Sequence, residues 1–407
     1  MPLSPSLLAR LAYVTVFGAI GATAPFLPVY YHELGIGLGV IPMLGALMAG
    51  SGLIGSPLWG AAADRFRGSR LVLPAAALVA ALAGLSLAFV GWPALVVVVF
   101  VLGIGSSGIG PVLDSRALEA VGADRHRYGR FRVWGSASFV VSAIVVGWLI
   151  ERTGVRGLFL VYVPLLALTA LIGLGLRPRG LVPPMPRLTG VAAVVRSPVL
   201  GPFLLAALLT WASSSAINAY FSIYLGQIGA PDSLIGIAWA VGAVVEVPLM
   251  IAFPQLARRF GLERLMLVGA GCLLARAVTV VLVRDPILVT SSMLLHGAGF
   301  ALLIVGGVLY VARHAPVGAA ATAQGVHTAT AYSLAAILGP TTAGLLAGSF
   351  ALPQVFAIAG IGSLSGVGAL AWAFRSGSRR TASAAHPVKA APAEATAPIE
   401  ATPVSPP

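Results

Sequence analysis

The chain has 407 residues, of which 58% are hydrophobic and only 9% charged, with a mean hydropathy of +0.97. A soluble domain carries roughly 25% charged residues, so this length cannot be two or three soluble domains; for most of the chain the solvent is lipid. The 25 basic residues exceed the 12 acidic ones by 13, an excess that in a soluble protein would suggest nucleic acid and that here has to be read by position.

A bilayer core about 30 Å thick requires ~20 mostly apolar residues per spanning helix. Such segments occur at about 10–31, 38–61, 70–91, 93–115, 131–150, 157–176, 200–225, 233–255, 264–283, 286–312, 321–348 and 352–374, twelve in all. They lack the short polar/apolar alternation of a lipid-facing barrel, so helices are expected. Ala22, Thr23 and Ala24 resemble a signal cleavage site, but with eleven further segments behind it the first helix is expected to be retained. Pro25, Pro28, Pro111 and Pro248 fall inside spans and are expected to interrupt them.

The longest internal connection, 177–199, holds Pro183, Pro184, Pro186 and four arginines. It divides the core into an N-terminal half, 1–176, and a C-terminal half, 200–375. Residues 376–407 are rich in Ala, Pro, Ser and Thr. That composition buries no core, so a disordered cytoplasmic tail is expected.

The basic residues set the orientation. With a cytoplasmic N-terminus, 21 of the 25 fall on the cytoplasmic side, three (Arg152, Arg156, Arg284) lie outside, and Arg276 alone lies within a span. Both termini are therefore expected in the cytoplasm of a cell in whose plasma membrane the chain is multi-pass. Anionic lipid headgroups attract the same residues, and no nucleic acid is implied. One cysteine, Cys272, excludes a disulfide framework and a Cys-rich metal site.

An internal repeat supports two halves. Residues 63–73 and 257–267, offset by 194, are identical at six of eleven positions, including Arg65/Arg259, Phe66/Phe260 and Arg70/Arg264. Both fall after the second span of their half, which predicts two parallel six-helix repeats with a site near the midplane between them. Gly60, Asp64, Arg65 and Arg70 resemble the Gly-x-x-x-Asp-Arg-x-Gly-Arg-Arg loop of the major facilitator superfamily, although Arg67 stands where the second glycine is usual and Gly68 follows one place late. The resemblance covers residues 1 to about 375. It implies the twelve-helix all-α membrane fold in two pseudo-symmetric halves, and a gating role for Asp64, Arg65 and Arg70.

Ionisable groups at membrane depth cost ~2.5–3.5 kcal/mol or more and persist where they serve a wet cavity. Glu246 lies 14 residues into span eight from Asp232, Arg276 lies 12 beyond Arg264 in span nine, and His296 lies 10 beyond Pro286 in span ten. At ~1.5 Å per residue they share a depth. A carboxylate, a guanidinium and an imidazole together suit proton or substrate handling; a pair that only locks helices eight and nine remains the alternative. Asp114 in span four and Arg132 at the start of span five form a second candidate pair in the cavity; both lie near the cytoplasmic surface, so solvated helix-end charges or a purely structural pair remain the alternatives. The stretch from Tyr128 to Ser136, with Gly129, Arg130, Arg132, Trp134 and Gly135, resembles helix five of the lactose permease and phenylpropionate-type branch. That resemblance implies that Asp114 pairs with Arg132, and that Glu246, Arg276 and His296 have counterparts. Lactose permease carries a further acid one turn after its histidine, where this chain has Gly299. His327 is expected to be a hydrogen-bonded packing residue. Of the aromatics Trp134, Trp211, Tyr220, Phe221 and Trp239, most are expected to face lipid or other helices.

Gly103, Gly105 and Gly108 spell G-x-G-x-x-G inside an apolar span, so close helix packing is expected instead of nucleotide binding. There is no Walker motif, and Lys389 is the only lysine, which excludes ATP-driven transport by this chain. No nucleophile–base set, metal cluster or cofactor motif marks an enzyme. The sequence reads as a secondary transporter, functional as a monomer and proton-coupled, for a small organic solute. An aromatic or other organic acid leads; a sugar or nucleoside proton symporter and a drug or metabolite efflux carrier are alternatives. A non-transporting sensor or scaffold is the rival from another class.

Overall fold

The computed structural model describes residues 4–66, 70–121, 128–176, 191–316 and 319–385, and among them all regular structure is helical. The first span comprises two helices, α1 (Pro5–Thr23) and α2 (Leu27–Glu33). Ser4 Oγ accepts a hydrogen bond from the Leu7 amide at 3.3 Å, and Pro5 follows where its missing N–H costs nothing. Pro25 and Pro28 then break the span. α3 (Ile41–Arg65), α4 (Val72–Leu87), α5 (Ala94–Val121), α6 (Tyr128–Thr153) and α7 (Leu158–Gly175) complete the first half.

A short helix, α8 (Val191–Val195), precedes α9 (Leu200–Gln227), α10 (Asp232–Phe260) and α11 (Leu262–Leu282). The tenth span divides at Ser292 into α12 (Pro286–Ser291) and α13 (Met293–His314). The eleventh runs through α14 (Ala320–Thr328), a π-helical segment (Ala329–Leu334) and α15 (Ala335–Ala347). α16 (Leu352–Ala385) follows. Among the described residues, eleven spans are long and apolar enough to cross a membrane. The third, α4, has 16 residues, or ~24 Å of helix.

Three expectations are corrected. α5 and α10 run unbroken through Pro111 and Pro248, because neighbouring turns and packed helices absorb one lost backbone bond. The last helix continues to Ala385, past the expected start of the tail at 376, since its Ala- and Arg-bearing turns favour helix; 386–407 lie outside the described residues. The central connection also carries α8, and 177–190 lie outside the described residues.

Helix pairing repeats from one half to the other. α1 packs on α6 and α7, α3 on α5, and α4 on α5 and α7; correspondingly α9 packs on α15 and α16, α10 on α13, and α11 on α13 and α16. Across the halves α6 meets α10 and α3 meets α15, which are symmetry-related pairs. Small residues make this possible, because helices in lipid associate by close packing. A Cβ added at Gly105 of α5 would lie 2.7 Å from the Ala80 amide nitrogen of α4, so the glycine-rich motif is a helix-packing surface.

The halves are joined at the end of the bundle away from both termini. A Cβ at Gly147 of α6 would lie 2.7 Å from the Asp232 carbonyl oxygen of α10, and one at Gly344 of α15 the same distance from that of Gly39. The Tyr220 hydroxyl of α9 donates to the Leu38 carbonyl, and the Ser233 amide donates to Glu151 Oε1 at 2.9 Å. The buried core of the first half is continuous there with Tyr224, Ala343 and Phe356. The other end of the second half has its own cluster, around Phe203, Tyr310 and Phe374.

Candidate transport site

Two cavities lie between the halves. The larger, of about 650 Å³, is lined by Tyr13, Tyr31, Asp114, Ser215, Asn218 and Trp239 among others. The smaller, of about 220 Å³, is lined by Ser136, Phe139, Glu246, Met293, His296 and Phe300. Phe17, Ile20 and Trp239 belong to both walls. The larger has the size, and the mostly apolar lining with a few polar groups, of small-molecule sites.

Asp114 stands on α5 and faces the larger cavity, where the Tyr13 hydroxyl of α1 donates to its Oδ1. Tyr13 stacks on Phe17, with ring centroids 5.9 Å apart and planes at 12°.

Arg276 is 1% exposed and forms part of neither cavity wall. Its Nη1 lies 3.3 Å from His296 Nδ1, and its Cζ lies 4.8 Å from the centroid of the Phe221 ring. Arginine only donates, so His296 Nδ1 is the acceptor in this contact. The ring contact offsets part of the burial cost, by about 2 kcal/mol when desolvated. Arg276 Nε and Nη2 are buried without a hydrogen-bond partner among the described residues, and such donors each cost about 1–3 kcal/mol.

The structure thus joins two of the predicted residues directly, Arg276 and His296. Glu246 shares the pocket wall with His296, and Asp114 stands in the adjoining cavity. The pairing of Asp114 with Arg132 falls on a side chain outside those described, as does that of Asp64. Arg65 closes α3 and Arg70 precedes α4; both are exposed.

His327 is 1% exposed. It stacks on Phe203, with centroids 5.6 Å apart, and meets the Tyr332 ring edge-on. Its Nδ1 has no hydrogen-bond partner, so it packs as expected but through rings, not hydrogen bonds. Trp134 is 54% exposed and Trp211 is buried against Phe300 and Tyr332. Among the aromatics singled out from the sequence, Trp239 lines the cavities. Tyr13, Phe17, Ser215 and Asn218 also line the larger cavity, and nothing in the sequence distinguishes them from other residues of apolar spans.

Comparison with known proteins decides the family: the description of the MFS_1 like family matches residues 8–358. The chain belongs to the MFS_1 like family. It is 33% identical over 341 residues to the maltose permease of Geobacillus stearothermophilus, covering 80% of this chain and 84% of that protein. It is 28% identical over 286 residues to the probable 3-phenylpropionic acid transporter of Escherichia coli K12, covering 64% and 70%. The crystal structure of the nucleoside transporter NupG superposes with a TM-score of 0.81 at 17% identity, over 91% of this chain and 99% of that one; at that identity the likeness concerns the fold. This MFS_1 like protein is a multi-pass membrane transporter of the major facilitator type for small molecules, and not an enzyme.

Proposed function

We propose that this transporter is a proton-coupled symporter for a neutral, hydroxyl-rich solute of the sugar class. The carrying observation is the larger cavity: a carboxylate, Asp114, with tyrosine, serine and amide side chains and the Trp239 ring around it. Carboxylates and amides bind hydroxyl pairs, and aromatic faces pack on the C–H faces of sugar rings. Arg276, the mid-membrane cation that an organic acid would seek, stands behind His296. The maltose permease relative supports the same reading.

A small organic acid is the second reading. It is favoured by the two unpartnered Arg276 donors and by the phenylpropionate relative. On either reading Glu246 and His296 serve proton coupling beside Asp114; the part expected of Arg132 falls on a side chain outside those described.

The basic-residue bias supports a plasma-membrane protein with both termini cytoplasmic. The joined end is then extracellular and the structure faces inward. In that arrangement Asp64, Arg65 and Arg70 belong to the inner gate, and their exposed arginines suit an open inner side. The halves 1–176 and 200–375 move against each other, linked by 177–199. Uptake of labelled maltose, phenylpropionate and a nucleoside into proteoliposomes tests the class. Saturable uptake of the neutral sugar alone is expected; uptake of the acid alone would replace this reading with the second.

A further inference from the structure

The polar groups in the wall of the larger cavity divide into two kinds. Several are committed to the protein. The Tyr13 hydroxyl donates to Asp114, Tyr162 bonds the Ser106 side chain, and Trp239 Nε1 donates to Ser222 Oγ at 3.1 Å. Two others are not. The Tyr31 hydroxyl and Asn218 Oδ1 are buried without a hydrogen-bond partner among the described residues, yet both residues line the cavity. Tyr31 stands on α2 in the first half and Asn218 on α9 in the second, and these two helices pack against each other.

An unpaired polar group is costly here, because lipid supplies no partner in place of water. The preceding residue shows the alternative. The Tyr30 hydroxyl donates to the Leu87 carbonyl, and its ring meets Phe159 edge-on with centroids 5.0 Å apart; Tyr30 is bound into the first half. Tyr31 is 3% exposed, and a phenyl ring would fill its place without leaving a hydroxyl unpaired. A polar atom that weakens the fold and stands in a cavity wall is a candidate for a partner that arrives through the cavity.

The chemistry of the pair selects among solutes. A tyrosine hydroxyl donates and accepts, whereas an amide oxygen only accepts. The Asn218 amide can turn about its last bond and present either end to the cavity. A solute hydroxyl, which also donates and accepts, satisfies both side chains. A carboxylate has no proton to give and leaves Oδ1 unpaired, and sites that require a hydrogen bond reject ligands that cannot make it.

We propose that Tyr31 and Asn218 are specificity-determining residues of the larger cavity, one from each half, which take hydroxyl groups of the solute in addition to Asp114. This rests on the reading of a neutral, hydroxyl-rich solute above.

The test measures initial-rate uptake of labelled maltose and of its monodeoxy derivatives by full-length protein in proteoliposomes, with thermal unfolding followed in detergent. Tyr31→Phe is expected to raise KM for maltose about tenfold, while its unfolding temperature stays level or rises. The rise in KM is expected to vanish for the monodeoxy maltose that lacks the hydroxyl taken by Tyr31. Asn218→Ala is expected to raise KM by a similar factor; Asn218→Leu, closer in volume, replaces it if that variant does not fold. Tyr30→Phe is expected to do the reverse, lowering the unfolding temperature and leaving KM unchanged. An unchanged KM in Tyr31→Phe or in the Asn218 variant, or a rise by the same factor for every monodeoxy maltose, would overturn this inference and leave the sugar reading standing. An unaltered protein that does not take up maltose would overturn the sugar reading and this inference together.

Discussion

Asp114 is the residue on which solute recognition turns. Asp114→Asn removes the charge from a carboxylate that accepts from Tyr13 and faces the cavity. A hydrogen bond to a charged group contributes about 1.5–3 kcal/mol, so transport efficiency is expected to fall by roughly 10- to 100-fold, mainly through a raised KM for the solute. Initial-rate uptake measures this, and an unchanged KM would contradict it. Arg276 makes the complementary case. His296→Leu removes the described polar partner of a buried guanidinium, with an expected loss of about 1–3 kcal/mol visible as a lower thermal unfolding temperature in detergent; an unchanged temperature would contradict the pairing. The cost of burying charge made Asp114, Glu246, Arg276 and His296 legible in the sequence. Counting residues along a helix gives depth but not the direction a side chain faces. Hence Glu246 and Arg276 share a depth, yet Arg276 turns to His296 and Phe221, away from the cavity wall. Tyr13 and Phe17 were illegible for the opposite reason: an aromatic residue in an apolar span carries no signal until its neighbours are known.

Among the elements, the start of α10 carries the contact that best reports on the conformational cycle. Pro231 at its N-cap makes no side-chain cap. The Ser233 amide is capped instead by Glu151 from the end of α6, in the other half of the protein. This cap exists only while the two halves meet at that end. Glu151→Ala is expected to weaken the joined state by about 1 kcal/mol, shifting the population toward separation of α6 and α10. Distances between spin labels on those helices, in a Cys272→Ser background, measure the shift; an unaltered distance distribution would contradict the latch. Gly147→Ala is expected to act in the same direction, because its Cβ would meet the Asp232 carbonyl at 2.7 Å. Most helices were legible from their apolar length. The breaks were less so. Pro25 and Pro28 do interrupt a span, whereas Pro111 and Pro248 are carried by packed helices, and the division at Ser292 and the π-helical turn at Ala329–Leu334 have no compositional mark.

For the whole molecule, the sequence repeat at 63–73 and 257–267 and the structural repeat of helix pairs describe one architecture twice. The two halves present related faces, α6 against α10 and α3 against α15, and contact at one end leaves the cavities between them. Exchange between two such arrangements, with Asp114 holding solute and Glu246 and His296 holding the proton, is the account of transport offered here. The measurement that tests it most directly is accumulation of labelled maltose in proteoliposomes that are alkaline inside, by the unaltered protein and by Asp114→Asn. Concentrative uptake that collapses with a protonophore is expected, with accumulation by the variant much reduced at solute concentrations below its raised KM. Equilibrating uptake indifferent to the gradient, or full accumulation by Asp114→Asn, would contradict it.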